Sequence, residues 1–158
     1  MITPSDDADV TNQAQIKVDW DPALTAFDNG GSSVTGYNLQ WDSGSGGSSW
    51  VDLVGPSPAS TAVTFTVSTG VVSGTSYIFR VRAANVYGWG DYSSTVTVKA
   101  AAEPGKVLSV STTIDETTGY LKISWLPPSS NGDPIDEYKI EISDVLLVDT
   151  ITEDRYCD

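Results

Sequence analysis

An all-β, antiparallel sandwich is the fold class this sequence predicts, and three observations predict it. Apolar and polar residues alternate with a period of two in short runs. Clusters of Gly, Ser, Asn, Asp and Pro separate those runs. A helical period is almost absent. Alternation places one set of side chains on each face of a strand, so a run of this kind buries one face and wets the other.

The runs follow in order. Ile16, Val18 and Trp20 alternate with Lys17 and Asp19. Tyr37, Leu39 and Trp41 alternate with Asn38 and Gln40, and a further strand is expected over Trp50–Val54. Val63, Phe65 and Val67 alternate with Thr64 and Thr66. Tyr77, Phe79, Val81 and Ala83 alternate with Ile78, Arg80, Arg82 and Ala84, and Val96 and Val98 close the set. β-Branched and aromatic residues dominate, as a pleated, half-buried surface favours. Turns are expected at Asp28-Asn29-Gly30-Gly31 and at Ser73-Gly74. The stretch from Ser43 to Ser49 is read as a mobile hairpin loop, because it lies between two strand patterns.

A repeat runs through the chain. Trp20-Asp-Pro22, Asn29-Gly30, Val34, Tyr37 and Leu39 are matched by Trp125-Leu-Pro127, Asn131-Gly132, Ile135, Tyr138 and Ile140. The two tryptophans stand 105 positions apart and the two tyrosines 101. Such a period is the size of a whole domain. Alternation stops at Ala100-Ala101-Ala102-Glu103-Pro104-Gly105, which divides the chain into residues 1–102 and 103–158.

Trp20-x-Pro22, Gly36-Tyr37-x-Leu39 and the long stretch Ser73-Gly74-Thr75-Ser76-Tyr77-x-Phe79-Arg80-Val81-x-Ala83-x-Asn85-x-x-Gly88-x-Gly90-x-x-Ser93 resemble the fibronectin type III family. Two positions depart mildly from its pattern: Val71 stands where Leu is usual, and Ser73 where Pro is usual. The resemblance implies an immunoglobulin-like sandwich in tandem modules. Residues 1–102 would be one nearly complete module with a weak or truncated first strand. Residues 103–158 would be the first half of a second, beginning with a strand over Val107–Thr113. Trp20, Tyr37, Tyr77, Trp125 and Tyr138 are its structural anchors. Tyr77 follows a tight corner, where a buried ring can return its hydroxyl to the backbone upstream. Asn85, Gly88 and Gly90 are expected to shape the next turn, with positive φ angles.

Trp89 is expected at the tip of that turn, where nothing in the pattern buries it. With Tyr87 and Tyr92 it forms a candidate contact patch, since clustered aromatics are favoured at interfaces. The competing reading folds these rings back onto their own module. Trp89-Gly90-Asp91 occupies the place of the family's adhesive Arg-Gly-Asp, but Trp replaces the Arg.

Composition narrows the function. Lys and Arg number 8 against 21 Asp and Glu, a net charge of −13, which argues against nucleic acid and anionic lipid as partners. No run of apolar residues is long enough to span a membrane. With no His and one Cys, ordinary zinc sites and Ser-His or Cys-His catalysis have no residues to work with. Asp6, Asp7 and Asp9, and the pair Asp19 and Asp21, read as solvated surface: no calcium-loop pattern surrounds them. No catalytic residue, cofactor or metal site is expected.

The ending Tyr156-Cys157-Asp158 resembles modules of very large surface proteins of single-celled eukaryotes. That resemblance implies a disulfide from Cys157 to a cysteine outside this segment; a free buried thiol stays open. The expected function is a non-catalytic structural or adhesive module of a larger extracellular or cell-surface protein, in a filament or coat, with neighbouring modules or subunits as partners. A spacer beside a secreted carbohydrate-active enzyme and a module of an intracellular cytoskeletal array are the alternatives.

Overall fold

The computed structural model of the chain describes residues 2–143 and 150–153. Strand β1 (Pro4–Asp6) pairs antiparallel with β2 (Ile16–Trp20), and β2 pairs with β5 (Thr64–Val67), which makes one sheet. The acidic N-terminal stretch thus supplies a first strand, three residues long, held in register from Pro4 opposite Trp20 to Asp6 opposite Val18. The second sheet is built on β3 (Gly36–Trp41) and β6 (Ser76–Asn85), paired over six residues, with β4 (Val51–Val54) outside β3. Two short strands, β7 (Gly88–Trp89) and β8 (Val96–Lys99), follow one another along the other side of β6.

Alternation decides the core. Ile16, Val18, Trp20, Tyr37, Leu39, Trp41, Val67, Tyr77, Phe79, Val81 and Val98 are all buried in one cluster between the sheets. The burial of β2 runs buried, intermediate, buried, as the period of two requires. Trp41 stacks on Tyr77 with centroids 5.0 Å apart and 18° between planes, and Trp20 meets Tyr37 edge to face at 5.9 Å. Such pairs add to their area burial. The buried Trp20 Nε1 has no hydrogen-bond partner.

Two anchors tie loops to this core through their hydroxyls. Tyr37 accepts from the N–H of Ala23 at 2.9 Å, which holds the chain just after Pro22. Tyr77 accepts from the N–H of Val72 at 2.8 Å and donates to the carbonyl of Gly70 at 3.1 Å, the corner expected of it.

The Asp28–Gly31 turn closes a single helical turn, α1 (Ala26–Asn29). Thr25 caps its start and Gly30, at φ 66°, its end. Between β3 and β4 the Ser43–Ser49 loop is organised by Asp42, which is fully buried. Its Oδ1 accepts from the N–H of Gly44 at 3.0 Å and of Ile78 at 2.9 Å, and its Oδ2 from Gly47 at 2.9 Å. Ser43, Gly44, Gly46 and Gly47 all have positive φ, so the glycines let the backbone wrap a carboxylate. The expectation of a mobile hairpin loop omitted this carboxylate, because a buried acceptor is not visible in a Gly/Ser-rich string.

After residue 103 the order of pairing starts again. β9 (Val110–Ile114) pairs with β10 (Leu121–Trp125), and β11 (Ile140–Ser143) with β12 (Thr150–Glu153), both antiparallel. β9 begins three residues later than the strand expected over Val107–Thr113. Trp125 and Tyr138 meet with centroids 5.4 Å apart, the counterpart of Trp20 and Tyr37. No described residue between 103 and 142 is buried, and Val110, Ile114 and Leu121 stand exposed. Cys157 lies outside the described residues, as does most of the apolar run Val145–Ile151.

Candidate functional site

The outer face of the β4-β3-β6-β7 sheet carries the most organised group of surface side chains. Alternation that sends Tyr37, Leu39 and Trp41 inward sends Asn38 and Gln40 outward; the same rule on β6 sends Arg80 and Arg82 outward. The register sets Asn38 opposite Arg82 and Gln40 opposite Arg80. Each amide therefore meets its guanidinium across the strand pair. Gln40 Oε1 accepts from Arg80 Nε at 3.0 Å and Nη2 at 2.7 Å, and Asn38 Oδ1 accepts from Arg82 Nε at 3.1 Å.

Asp52 on β4 orients both amides. Its Oδ1 accepts from Asn38 Nδ2 at 2.7 Å and Gln40 Nε2 at 2.9 Å. Those two hydrogen bonds, and then the positive charge of Arg82, hold its carboxyl below the ordinary value. Asn38 Nδ2 also donates to the carbonyl of Val54 at 2.8 Å, so this fully buried amide is satisfied on both sides.

Three aromatic rings complete the face. The Arg80 guanidinium lies 3.8 Å from the Trp50 ring centroid and 4.1 Å from that of Tyr92. Arg82 lies 4.4 Å from Tyr92 and 5.0 Å from Trp89. The result is a ladder of Trp50, Arg80, Tyr92, Arg82 and Trp89, aromatic and cation in alternation. Each contact is attracted through the ring quadrupole, most strongly for Trp. Tyr92 fixes the middle rung by donating its hydroxyl to Asn38 Oδ1 at 2.6 Å. Burial raises its phenol's pKa against the opposing pull of Arg82 and Arg80. Among the described residues neither guanidinium forms an ion pair, so the ladder is a cationic stripe on an acidic chain.

The three aromatics singled out in the sequence are divided by this arrangement. Tyr92 is half-buried in the ladder and Trp89 forms its outer rung, 37% exposed. Trp89 is paired with Ala84 in β7, and the turn tip is Val86-Tyr87, so the expected place of Trp89 at the tip is corrected: two-residue closure puts Tyr87 there, 88% exposed. Of Asn85, Gly88 and Gly90, Gly88 alone has positive φ, at 130°. Asn85 works through its side chain, accepting from the N–H of Tyr87 at 2.9 Å and donating to the carbonyl of Asn29 at 2.8 Å.

Trp50, Arg80, Arg82, Asn38, Gln40 and Asp52 were not candidates from sequence. Their only signal there was two arginines at i and i+2 on one strand. The carboxylates fall elsewhere: Asp7 pairs with Lys17 at 2.6 Å, Asp19 lies 3.8 Å from the same ammonium, and Asp6 accepts from the Thr11 hydroxyl at 2.6 Å. Among the described residues no group of three or more His, Cys, Asp or Glu is placed to hold a metal, and no helix is long and apolar enough to cross a membrane.

Two sheets of these pairings, packed on one core with a tyrosine at the corner, define an antiparallel immunoglobulin-like β-sandwich module. The fibronectin type III domain model matches residues 4–99, and the chain belongs to that family. The fibronectin type-III domain-containing protein 3A of Homo sapiens is 27% identical over 129 residues, which cover 80% of this chain and 10% of the relative. Its Gallus gallus counterpart is 32% identical over 71 residues, covering 45% of this chain and 6% of the relative. The chain therefore spans about a tenth or less of the length of these relatives. Among solved structures, the sixth fibronectin type III domain of human fibronectin type III domain containing protein 3 aligns with TM-score 0.50 and 22% identity, over 68% of this chain and 89% of that one. A human fourth FNIII domain aligns with TM-score 0.52 and 22% identity, over 65% and 78%. Domains of this family are generally non-catalytic modules of multi-domain proteins and mediate contacts between proteins.

Proposed function

We propose that this chain is a structural and adhesive segment of a larger extracellular or cell-surface protein, in which modules are lined up and the ladder face contacts a neighbouring module or subunit. The observation that carries the reading is the Trp50–Arg80–Tyr92–Arg82–Trp89 stripe. Arg and aromatic side chains half-buried in their own packing, with Trp89 exposed at the end, lose little entropy on binding, and these residue types dominate interface hot spots. An acidic chain that carries a cationic stripe with no ion-pair partner among the described residues meets acidic surface favourably there.

Residues 103–158 are read as the first half of a second module. The repeated pairing order, the Trp125–Tyr138 contact and the reach of the relatives support this. A match covering 80% of 158 residues, about 126, cannot fit within residues 1–102.

The contact is tested with Trp89→Ala in the native, longer protein. Assembly weakens by about 2 kcal/mol or more while the module's melting temperature changes little. Normal assembly together with a lowered melting temperature rejects the contact and assigns Trp89 to internal packing. The setting is tested separately on Cys157, which is oxidised in an extracellular protein. Quantitative alkylation of this thiol in native protein without prior reduction sinks the disulfide and weakens the extracellular setting.

A further inference from the structure

The joint between the first sandwich and the strands that follow is built from two glycines set face to face. Gly132, at φ 97°, lies in the loop after Trp125 and rests on the corner that precedes Tyr77. A Cβ on Gly132 would stand 2.7 Å from the carbonyl oxygen of Ala100, 3.0 Å from Ser73 Oγ and 3.1 Å from the N of Gly74. A Cβ on Gly74, at φ 78°, would stand 3.0 Å from the carbonyl oxygen of Gly132. A side chain on Gly132 would force the facing backbone to shift and one on Gly74 would crowd it, and L-residues also disfavour both conformations.

The surrounding contacts hold the same loop from other directions. The N–H of Ala102 donates to the carbonyl of Asn131 at 2.9 Å, and that of Gly105 to the carbonyl of Ser129 at 2.8 Å. Asn131 Nδ2 donates to the carbonyl of Glu103 at 2.7 Å. Lys99, the last residue of β8, forms an ion pair with Asp133. The corner itself is closed by reciprocal bonds: Gly74 N–H to Ala100 oxygen and Ala100 N–H to Thr75 oxygen, both 2.9 Å. Of these, the Ala102–Asn131 hydrogen bond and the Lys99–Asp133 ion pair cross from one unit to the next, and a tether between independent beads needs neither.

We infer that the Ser73–Thr75 corner and the end of β8 form a docking seat for the Asn131-Gly132 loop of the following unit, so that the two units turn as one rigid body. This rests on reading residues 103–158 as a second unit; it does not depend on the extracellular setting or on a partner at the ladder. The seat is selective for a loop with Gly at its apex and a carboxylate one residue on. Its consequence is directional: the ladder face of the first module is presented at a fixed angle to the next unit.

The test uses the whole 158-residue chain with Cys157→Ser, spin-labelled at Ser68→Cys and Thr117→Cys, both exposed. Distances are read by double electron–electron resonance. One narrow distribution is expected. Gly132→Val roughly doubles its width while the thermal transition of the first sandwich stays in place. Because that variant can also disturb its own loop, a second route uses charge alone: Asp133→Lys broadens the distribution and the double variant Lys99→Glu/Asp133→Lys narrows it again. A broad distribution in the unsubstituted chain overturns the inference, as does a narrow one that persists in both Gly132→Val and Asp133→Lys. A double variant as broad as Asp133→Lys removes the ion pair from the seat. A far-UV spectrum showing that the 103–153 strands are lost in all forms would instead defeat the second-unit reading.

Discussion

Tyr77 and Asp42 show how single polar atoms secure this sandwich from inside. The Tyr77 ring is 1% exposed and its hydroxyl serves two backbone groups, Gly70 and Val72, at the crossover before β6. Tyr77→Phe keeps the ring and strands both groups, so we expect a loss of about 1–3 kcal/mol, read as a lowered denaturant midpoint at unchanged m-value. An unchanged midpoint rejects the corner's contribution. Asp42 adds a pH dependence. Desolvation pushes its carboxyl up, but the N–H groups of Ile78, Gly44, Gly47 and Gly46 outweigh this and leave its pKa lowered. A depressed folded-state value means that its stabilisation is present above the unfolded pKa, about 3.9, and is lost as pH falls through the folded value. Asp42→Asn should therefore destabilise at pH 7 by about 1–3 kcal/mol, and the gap to the parent protein should shrink below about pH 4. Urea titrations of both proteins across that range decide it; a gap constant with pH sinks the assignment.

At the scale of elements, β6 carries two functions on its two faces. Tyr77, Phe79 and Val81 fill the core, while Arg80 and Arg82 hold the ladder. The inward set was legible from alternation alone. The ladder was not, because its rungs come from β4's approach, β6, β7 and the segment after β7, and only cross-strand register brings both Trp50 and Tyr92 onto Arg80. The outer rung is the place to measure it. A double-mutant cycle of Arg82→Ala and Trp89→Ala should give a coupling of about 0.5–1 kcal/mol, the size of an exposed cation–π pair. Additive effects would mean that the two side chains share a face without sharing energy.

For the whole molecule, the position of the core predicts what folds alone. Among the described residues, the cluster of buried apolar side chains extends from Ile16 to Ala100 and includes none after it. Residues 1–102 should give a cooperative thermal transition on their own. Residues 103–158, whose described side chains up to residue 142 are half-buried or exposed, should not, since isolated hairpins are marginal in water. A cooperative monomeric transition from the second fragment, followed by circular dichroism, would show that it buries a core of its own.

Sequence by itself determined the class of fold and the alternating strands that fill the first core, because these follow from local periodicity; the short strand β7 and the helical turn α1 were not legible in it. Trp20, Tyr37 and Tyr77 are buried where the alternation places them, and Trp125 meets Tyr138 as Trp20 meets Tyr37. Tertiary structure alone decided the rest. Asp42 reaches Ile78 across 36 positions, Tyr92 reaches Asn38 across 54, and Gly132 and Gly74 each stand where a Cβ on the other would crowd the backbone. Each of these contacts depends on how two strands or two units are registered against one another. That choice is made by the packing of the whole core, and no window of the chain contains it.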